Sequence, residues 1–313
     1  MSIAPALPAA ETAALTRRAT LLSVATAAVL VALKAAAWLA SGSVALLASL
    51  ADSGLDLIAS LATFFAVRYA VAPPDAEHRF GHGKAEAFAS LFQAGLVFAS
   101  AALICREAVG DLMRPHPLRQ EGWAVAVMAI STVLTGFLIS AQTKVLRQTG
   151  SIAVSGDRAH YASDLASNLL ALAGVAATAW LGIVGLDAFA ALGVAALLLW
   201  GAIGVFREAA GQLLDRELSP EARKLIVETI TRDGRITGVH QLRTRAAGPY
   251  VHMQMHIDLD PQLSLADAHE VLVQAEKRVL EDFPSADIIM HADPRGQAEP
   301  HGGAFAESPR APA

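Results

Sequence analysis

The pentapeptide Asp52-Ser-Gly-Leu-Asp56 sits inside a stretch that is otherwise apolar, and no other feature restricts the fold of this chain as strongly. From Leu21 to Leu50 the only charge is Lys34, and Leu57 to Val67 carries none. Apolar runs of about 20 residues are long enough to cross a bilayer as helices. Residues four apart in a helix share a face, so the two carboxylates point the same way. At the bilayer centre each acid costs about 2.5–3.5 kcal/mol on insertion scales. Packing alone does not offset that, so the pair needs a counter-charge. A second pair, His160 and Asp164, opens the charge-free run Leu165 to Leu186. No lysine or arginine lies near mid-span on the helices that carry the two pairs. If the pairs meet across two helices, they bring together three carboxylates and one imidazole, a donor set suited to a divalent cation.

Composition agrees with a membrane protein. The chain has 313 residues, of which 54% are hydrophobic and 17% charged. The net charge of −5 argues against nucleic acid as a partner. The single cysteine, Cys105, excludes a disulfide framework and a thiolate cluster within one chain. Residues 1–16 are rich in Ala and Pro, with no basic region or cleavage site typical of a signal peptide. They are expected to be a disordered cytoplasmic tail, with the first span acting as an uncleaved membrane signal.

Six spans are expected: Thr20–Ala40, Val44–Val71, Lys84–Met113, Gly122–Thr143, Ile152–Leu181 and Ala188–Phe206. An even number puts both termini on one side. Arg17, Arg18, Arg68, Arg79, Lys84, Lys144, Arg147, Arg158 and Arg207 flank that side, whereas the opposite loops carry mainly Arg114 and Arg119. The excess of basic residues assigns both termini to the cytoplasm. The expected division is a six-helix transmembrane domain over 17–207, a connector over 208–218, a soluble domain over 219–293 and a disordered tail over 294–313.

The soluble domain reads as α-β-β-α-β. Ser219-Pro220-Glu221 starts a helix with an N-cap, a proline at N1 and an acid in the first turn. Val239–Arg245 reads as a strand. Tyr250–Leu259 alternates, with Val251, Met253, Met255, Ile257 and Leu259 on one face and His252, Gln254, His256 and Asp258 on the other. Ser264-Leu-Ala-Asp267 resembles a capping box and opens a second helix to about Phe283. Asp287–His291 is a short third strand.

Two further clusters carry metal-ligand chemistry. Asp75, His78 and His82 lie in the loop after the second span, where Gly81 and Gly83 allow a sharp turn. Five of the ten histidines fall in the soluble domain: His240, His252, His256, His269 and His291, with Asp293 beside the last. In the membrane, one nitrogen among three oxygens suits Zn²⁺, and also accepts Fe²⁺, Co²⁺, Cd²⁺ or Mn²⁺. The same groups bind protons, so H⁺ competes with the metal. Asn168 shares the stripe of His160 and Asp164 and is either an outer partner of the ion or a packing residue.

Taken together, Ala51-Asp52-Ser53 with Asp56, His78-Arg-Phe-Gly-His-Gly-Lys-Ala-Glu86, His160-Tyr-x-Ser-Asp164, Leu214-Asp215-Arg216 and His-Ala-Asp-Pro294 resemble the cation diffusion facilitator family, nearest its bacterial ferrous-iron/zinc efflux branch. The resemblance covers about residues 15 to 294. It implies a homodimer of six-helix subunits, each with a cytoplasmic ferredoxin-like domain. It implies that Asp52, Asp56, His160 and Asp164 form the transport site, and that Asp75, His78 and His82 form a loop site. His240, His256, His269, His291 and Asp293 match a binuclear site at the dimer interface, while His252 matches no ligand position. Lys84 and Asp215 match an ion pair that holds the dimer together. Where the family often has a cysteine after the last Asp-Pro, this chain has Arg295.

The expected function is efflux of a divalent metal of the Zn²⁺/Fe²⁺ class by exchange for protons. No nucleotide-binding loop occurs in the sequence, so a proton gradient is the expected drive. An intramembrane metalloenzyme would need an open coordination position and a general base. No His-Glu-x-x-His is present, and the chain is not expected to be an enzyme. A membrane-anchored metal sensor is the alternative, but a pure anchor has no need of acids in two spans.

Overall fold

The computed structural model describes residues 7–42, 44–113, 122–181 and 186–297. Six long helices come first: α1 (Ala9–Ser41), α2 (Val44–Ala70), α3 (Ala85–Met113), α4 (Gly122–Thr149), α5 (Ile152–Leu181) and α6 (Leu186–Leu213). At about 1.5 Å per residue each exceeds the roughly 30 Å hydrocarbon core of a bilayer. Among the described residues, stretches of α1, α2, α3, α4 and α6 are long and apolar enough to cross a membrane. The first half of α5 carries Asp157, Arg158, His160 and Asp164.

The bundle is polar inside and apolar outside, the reverse of a water-soluble domain. Trp200, Leu39 and Val133 are 81%, 76% and 72% exposed, whereas Gln93, Asp157 and Ser163 are fully buried. A surface of that kind is stable against lipid and unstable against water. Gly42 ends α1 in the left-handed region (φ 66°), its N–H donating to the Trp38 carbonyl at 2.7 Å.

Three helix boundaries differ from the sequence expectation by more than two residues. Helix α1 begins at Ala9, inside the segment expected to be a disordered tail. The Ala-rich stretch there has high helix propensity, Pro8 has a fixed φ just before it, and Thr12 and Thr16 are buried. Helix α4 runs to Thr149, beyond the apolar part that ends at Thr143. Helix α6 continues to Leu213, through most of the expected connector, because Arg207-Glu-Ala-Ala-Gly-Gln-Leu-Leu favours a helix once lipid no longer sets the composition. Arg114, Arg119 and residues 298–313 of the expected disordered tail lie outside the described residues.

The soluble domain has the expected element order: α7 (Pro220–Ile230), β1 (Gly238–Ala247), β2 (Tyr250–Leu259), α8 (Leu265–Asp282) and β3 (Ala286–Pro294). Ser219 caps α7, accepting from the Ala222 N–H, and Ser264 caps α8, accepting from the Asp267 N–H. The sheet order is β1-β2-β3, with β1 antiparallel and β3 parallel to the central strand. Val251, Met253, Met255, Ile257 and Leu259 pack against Ile226, Ile230, Val271, Ala275, Val279 and Phe283 of the helical layer. The alternate residues of β2 therefore lie on the sheet's outer face, and Pro294, expected in the tail, pairs with Leu259 at the end of β3.

Candidate functional site

Helices α2 and α5 bring three donors together inside the bundle. His160 Nε2 lies 3.0 Å from Asp56 Oδ1 and 3.8 Å from Asp164 Oδ2. One ligand atom from each of Asp56, His160 and Asp164 falls within 4.8 Å of the others. His160 and Asp164 share a face of α5 by their i,i+4 spacing, and Asp56 comes from the facing helix. Asp52 stands one turn along α2 and outside this trio, within electrostatic reach of Lys34 and His160. Asn168 is half-buried one turn beyond Asp164.

A cation does lie beside these acids, contrary to the expectation from sequence. Lys34 of α1 is buried, and its Nζ donates to Ser53 Oγ at 2.6 Å and to the Ser49 carbonyl at 3.1 Å. It therefore brings an amine within electrostatic reach of Asp52, Asp56 and Asp164. A four-residue pattern within one span does not reveal a counter-charge supplied by another span.

A second polar node was also missed. Asp157, one turn before His160, is fully buried and accepts three side-chain hydrogen bonds. The donors are Ser23 Oγ of α1 at 2.5 Å, Gln142 Nε2 of α4 at 2.8 Å and Gln93 Nε2 of α3 at 3.1 Å. Next to it, the Tyr161 and Ser60 hydroxyls lie 2.7 Å apart and join α5 to α2. Four helices thus meet at one carboxylate, and α2 joins beside it through Ser60. The signal was present in the sequence, since Asp157, His160, Asp164 and Asn168 follow a 3-4-4 spacing along one helix face.

The three loop candidates come together between α2 and α3. His82 Nε2 is 3.2 Å from Asp75 Oδ2, and His78 Nδ1 is 3.3 Å from Asp75 Oδ1. These three residues also form a group whose ligand atoms lie within 4.8 Å. The His78 backbone amide donates to Asp75 at 2.6 Å, and this bond holds the exposed carboxyl below its ordinary value.

The loop rests directly on the soluble domain. A side chain on Gly83 would collide with the Ala247 carbonyl, and one on Gly248 (φ 58°) would come within 2.6 Å of the Gly83 carbonyl oxygen. Lys84 Nζ pairs with Asp215 at 2.8 Å, and Arg245 Nη1 of β1 pairs with the same carboxylate at 3.1 Å. Partial burial works to raise the Asp215 pKa, but hydrogen bonds and charge from Lys84 and Arg245 hold it below its ordinary value. Arg245 also stacks over the Phe80 ring at 4.7 Å.

On the sheet, register does the positioning. His240 faces His256 across β1–β2, and His256 faces His291 across β2–β3. Two residues along, Gly238, Asp258 and Asp293 form the adjacent row. Asp293 is 2.8 Å from His256, 3.3 Å from His240 and 3.3 Å from His291. The β1–β2 ladder slips between His240 and Arg243, with Gln241 at φ 52°, so a bulge aims the end of β1. Asp258 was not among the sequence candidates; it lies 3.4 Å from His240, in space that only a glycine at 238 leaves open. His269 stands apart from this row. It lies exposed on α8, whose inner face packs on the other side of the sheet, so within one chain it does not join the histidines.

Known proteins share this arrangement of two domains. Residues 20–214 match the cation efflux transmembrane domain, and residues 218–295 match the cation efflux protein cytoplasmic domain. The cation-efflux pump FieF of Klebsiella pneumoniae is 40% identical over 280 residues, covering 90% of this chain and 93% of that protein. The cation-efflux pump FieF of Serratia proteamaculans is 39% identical over 285 residues, covering 90% and 94%. Among solved structures, the metal-bound C-terminal domain of the CzcD transporter from Thermotoga maritima is 26% identical, covering 26% of this chain and 100% of that one, with a TM-score of 0.25.

Proposed function

The chain belongs to the cation efflux, or cation diffusion facilitator, family, and on that premise we propose that it exports a divalent metal of the Zn²⁺/Fe²⁺ class in exchange for protons across the bacterial inner membrane. The observation that carries this reading is the convergence of Asp56, His160 and Asp164 from two buried helix faces. Asp52 is the fourth ligand, one turn away on the same helix. Mixed oxygen and nitrogen donors favour zinc, iron or cadmium over manganese. A metal ion and protons cannot fill the same lone pairs together, so loading one releases the other. A metal sensor on a membrane anchor would leave this convergence without a purpose.

In this reading the ion enters from the cytoplasm, where both termini lie, and the helices then expose the trio to the other side. Protons load there as metal leaves. Asp75, His78 and His82 hold a second ion at the loop. His240, His256, His291 and Asp293 hold metal on the outer face of the sheet in a homodimer. His269, stranded on the helix layer, reaches that row only from a second copy of the chain. Lys84 and Asp215 brace the junction near the membrane surface, where the dimer forms.

The test is Zn²⁺ flux into proteoliposomes under an imposed pH gradient. Asp164→Ala should abolish flux while the protein still folds and elutes as the wild type does. Undiminished flux in that variant would end the site assignment.

A further inference from the structure

His252 matched no expected ligand position, yet its surroundings are those of a metal ligand. Its Nδ1 lies 3.1 Å from Asp287 Oδ2 on the neighbouring strand, paired with it in the ladder. That contact makes Nδ1 the protonated nitrogen and leaves the Nε2 lone pair free, the arrangement in which a carboxylate orients a metal-binding imidazole. Nε2 itself is fully buried and has no hydrogen-bond partner. A buried acceptor without a partner is unfavourable, so it calls for an occupant.

The cavity it borders is already metal-like. His252, His78 and His82 line one cavity of about 330 Å³ at the junction of the membrane and soluble domains. The Phe80 ring meets the His252 ring edge-on at 5.7 Å and covers one side of it. The loop cluster has three donors, whereas a closed zinc site has four. The close approach of Gly83 to Gly248 keeps the loop seated on the β1–β2 turn, so the fold holds His252 at the edge of the cavity, outside the 4.8 Å group of the three loop donors, which a bound ion would draw together.

We propose that His252 is the fourth ligand of the loop site, donated by the soluble domain, so that a zinc-class cation bound there fastens the two domains of one chain together. The inference rests on the reading of Asp75, His78 and His82 as an ion site. It also gives the loop ion a specific role, because the soluble domain then docks on the membrane domain more tightly when metal is abundant.

The experiment uses the full-length protein in detergent, carrying Asp56→Ala, Asp164→Ala, His240→Ala and His256→Ala so that the loop donors remain. The probe is Co²⁺, whose visible absorption reports tetrahedral coordination. The expected result is one tetrahedral Co²⁺ per chain. His252→Phe, which keeps an aromatic ring in the cavity wall, should weaken Co²⁺ by more than about 100-fold and lose the tetrahedral band. Asp287→Asn should weaken it by about 10–100-fold, as loss of an outer partner does. Wild-type affinity and spectrum in His252→Phe, with binding abolished by His82→Ala, would overturn the fourth ligand and leave the loop site standing. Absence of Co²⁺ binding in the parent, or indifference to His82→Ala, would overturn both. If His252→Phe fails to fold, Asp287→Asn decides, and unchanged affinity there counts against the proposal.

Discussion

Asp56, His160 and Asp164 meet inside a helical bundle whose outer surface is apolar, whereas His240, His256, His291 and Asp293 meet on the outer face of a sheet whose core is apolar. The donor chemistry is similar and the means of holding it differ. On the sheet, backbone ladders fix the histidine row, so moving one ligand breaks main-chain hydrogen bonds. In the bundle, α2 and α5 each complete their own backbone bonding, and only side chains join them. Ser60 with Tyr161 and Asp56 with His160 link the two directly, the Asp157 node ties α5 to α1, α3 and α4, and Lys34 with Ser53 ties α1 to α2. The membrane donors can therefore part and rejoin without disturbing the backbone, as the proposed transport requires, while the sheet keeps its donors in fixed register.

Removing a bundle ligand should have the greatest consequence. Asp56→Ala should lower Zn²⁺ flux by more than about 100-fold and leave metal binding on the sheet unchanged, as equilibrium dialysis would show. Next comes the node that ties the helices. Asp157→Ala takes one acceptor from each of three buried donors, which keep their second partners Ala19, Ser23 and Thr63; at about 0.5–1.5 kcal/mol per lost bond the membrane domain should lose a few kcal/mol of stability, read as a lower thermal midpoint in detergent. Recovery of that midpoint by Asp157→Asn would show that hydrogen bonding matters there and charge does not.

A smaller effect is expected from the receptor. The double variant His240→Ala with His256→Ala should bind no metal on the sheet and slow flux by about 5-fold, the low end of coupling between distant sites. Complete loss of flux would mean that the sheet site is part of the transport path. The smallest effect belongs to a structural pair outside both sites. The Arg235 hydrogen bond holds Asp233 down to about 2, against the opposing effect of burial, and Arg278 adds a contact at 3.8 Å. Because the folded value is depressed, this stabilisation is present above the ordinary carboxylate pKa of 3.8 and is lost as pH falls from there toward 2. The stability difference between wild type and Asp233→Asn should shrink over that window and stay constant from about pH 5 to about pH 7.

Much of this was legible in the sequence because lipid makes buried charge conspicuous. The pairs Asp52/Asp56 and His160/Asp164 stood out against apolar runs, and the strict alternation of Tyr250–Leu259 fixed which β2 residues share the outer face. What escaped were contacts between elements far apart in sequence. Lys34 sits in α1 with nothing nearby to mark it, and its role appears only when Ser53 is placed beside it. Asp258 depends on an empty position at Gly238, across a register that no local pattern encodes. His252 was visible as a histidine of the outer face, but its place beside the loop is a matter of how the two domains dock. His269 shows the opposite case: its residue type suggested a ligand, and the helix that carries it keeps it from the row within a single chain.

If one set of buried donors alternates between a divalent ion and protons, the two movements must be locked together. Recording Zn²⁺ entry and internal pH at once, in one population of proteoliposomes, asks this directly. Protons should leave as Zn²⁺ enters, at a fixed ratio, and both movements should vanish together in Asp164→Ala. Zinc entry at full rate with no proton movement would contradict the exchange.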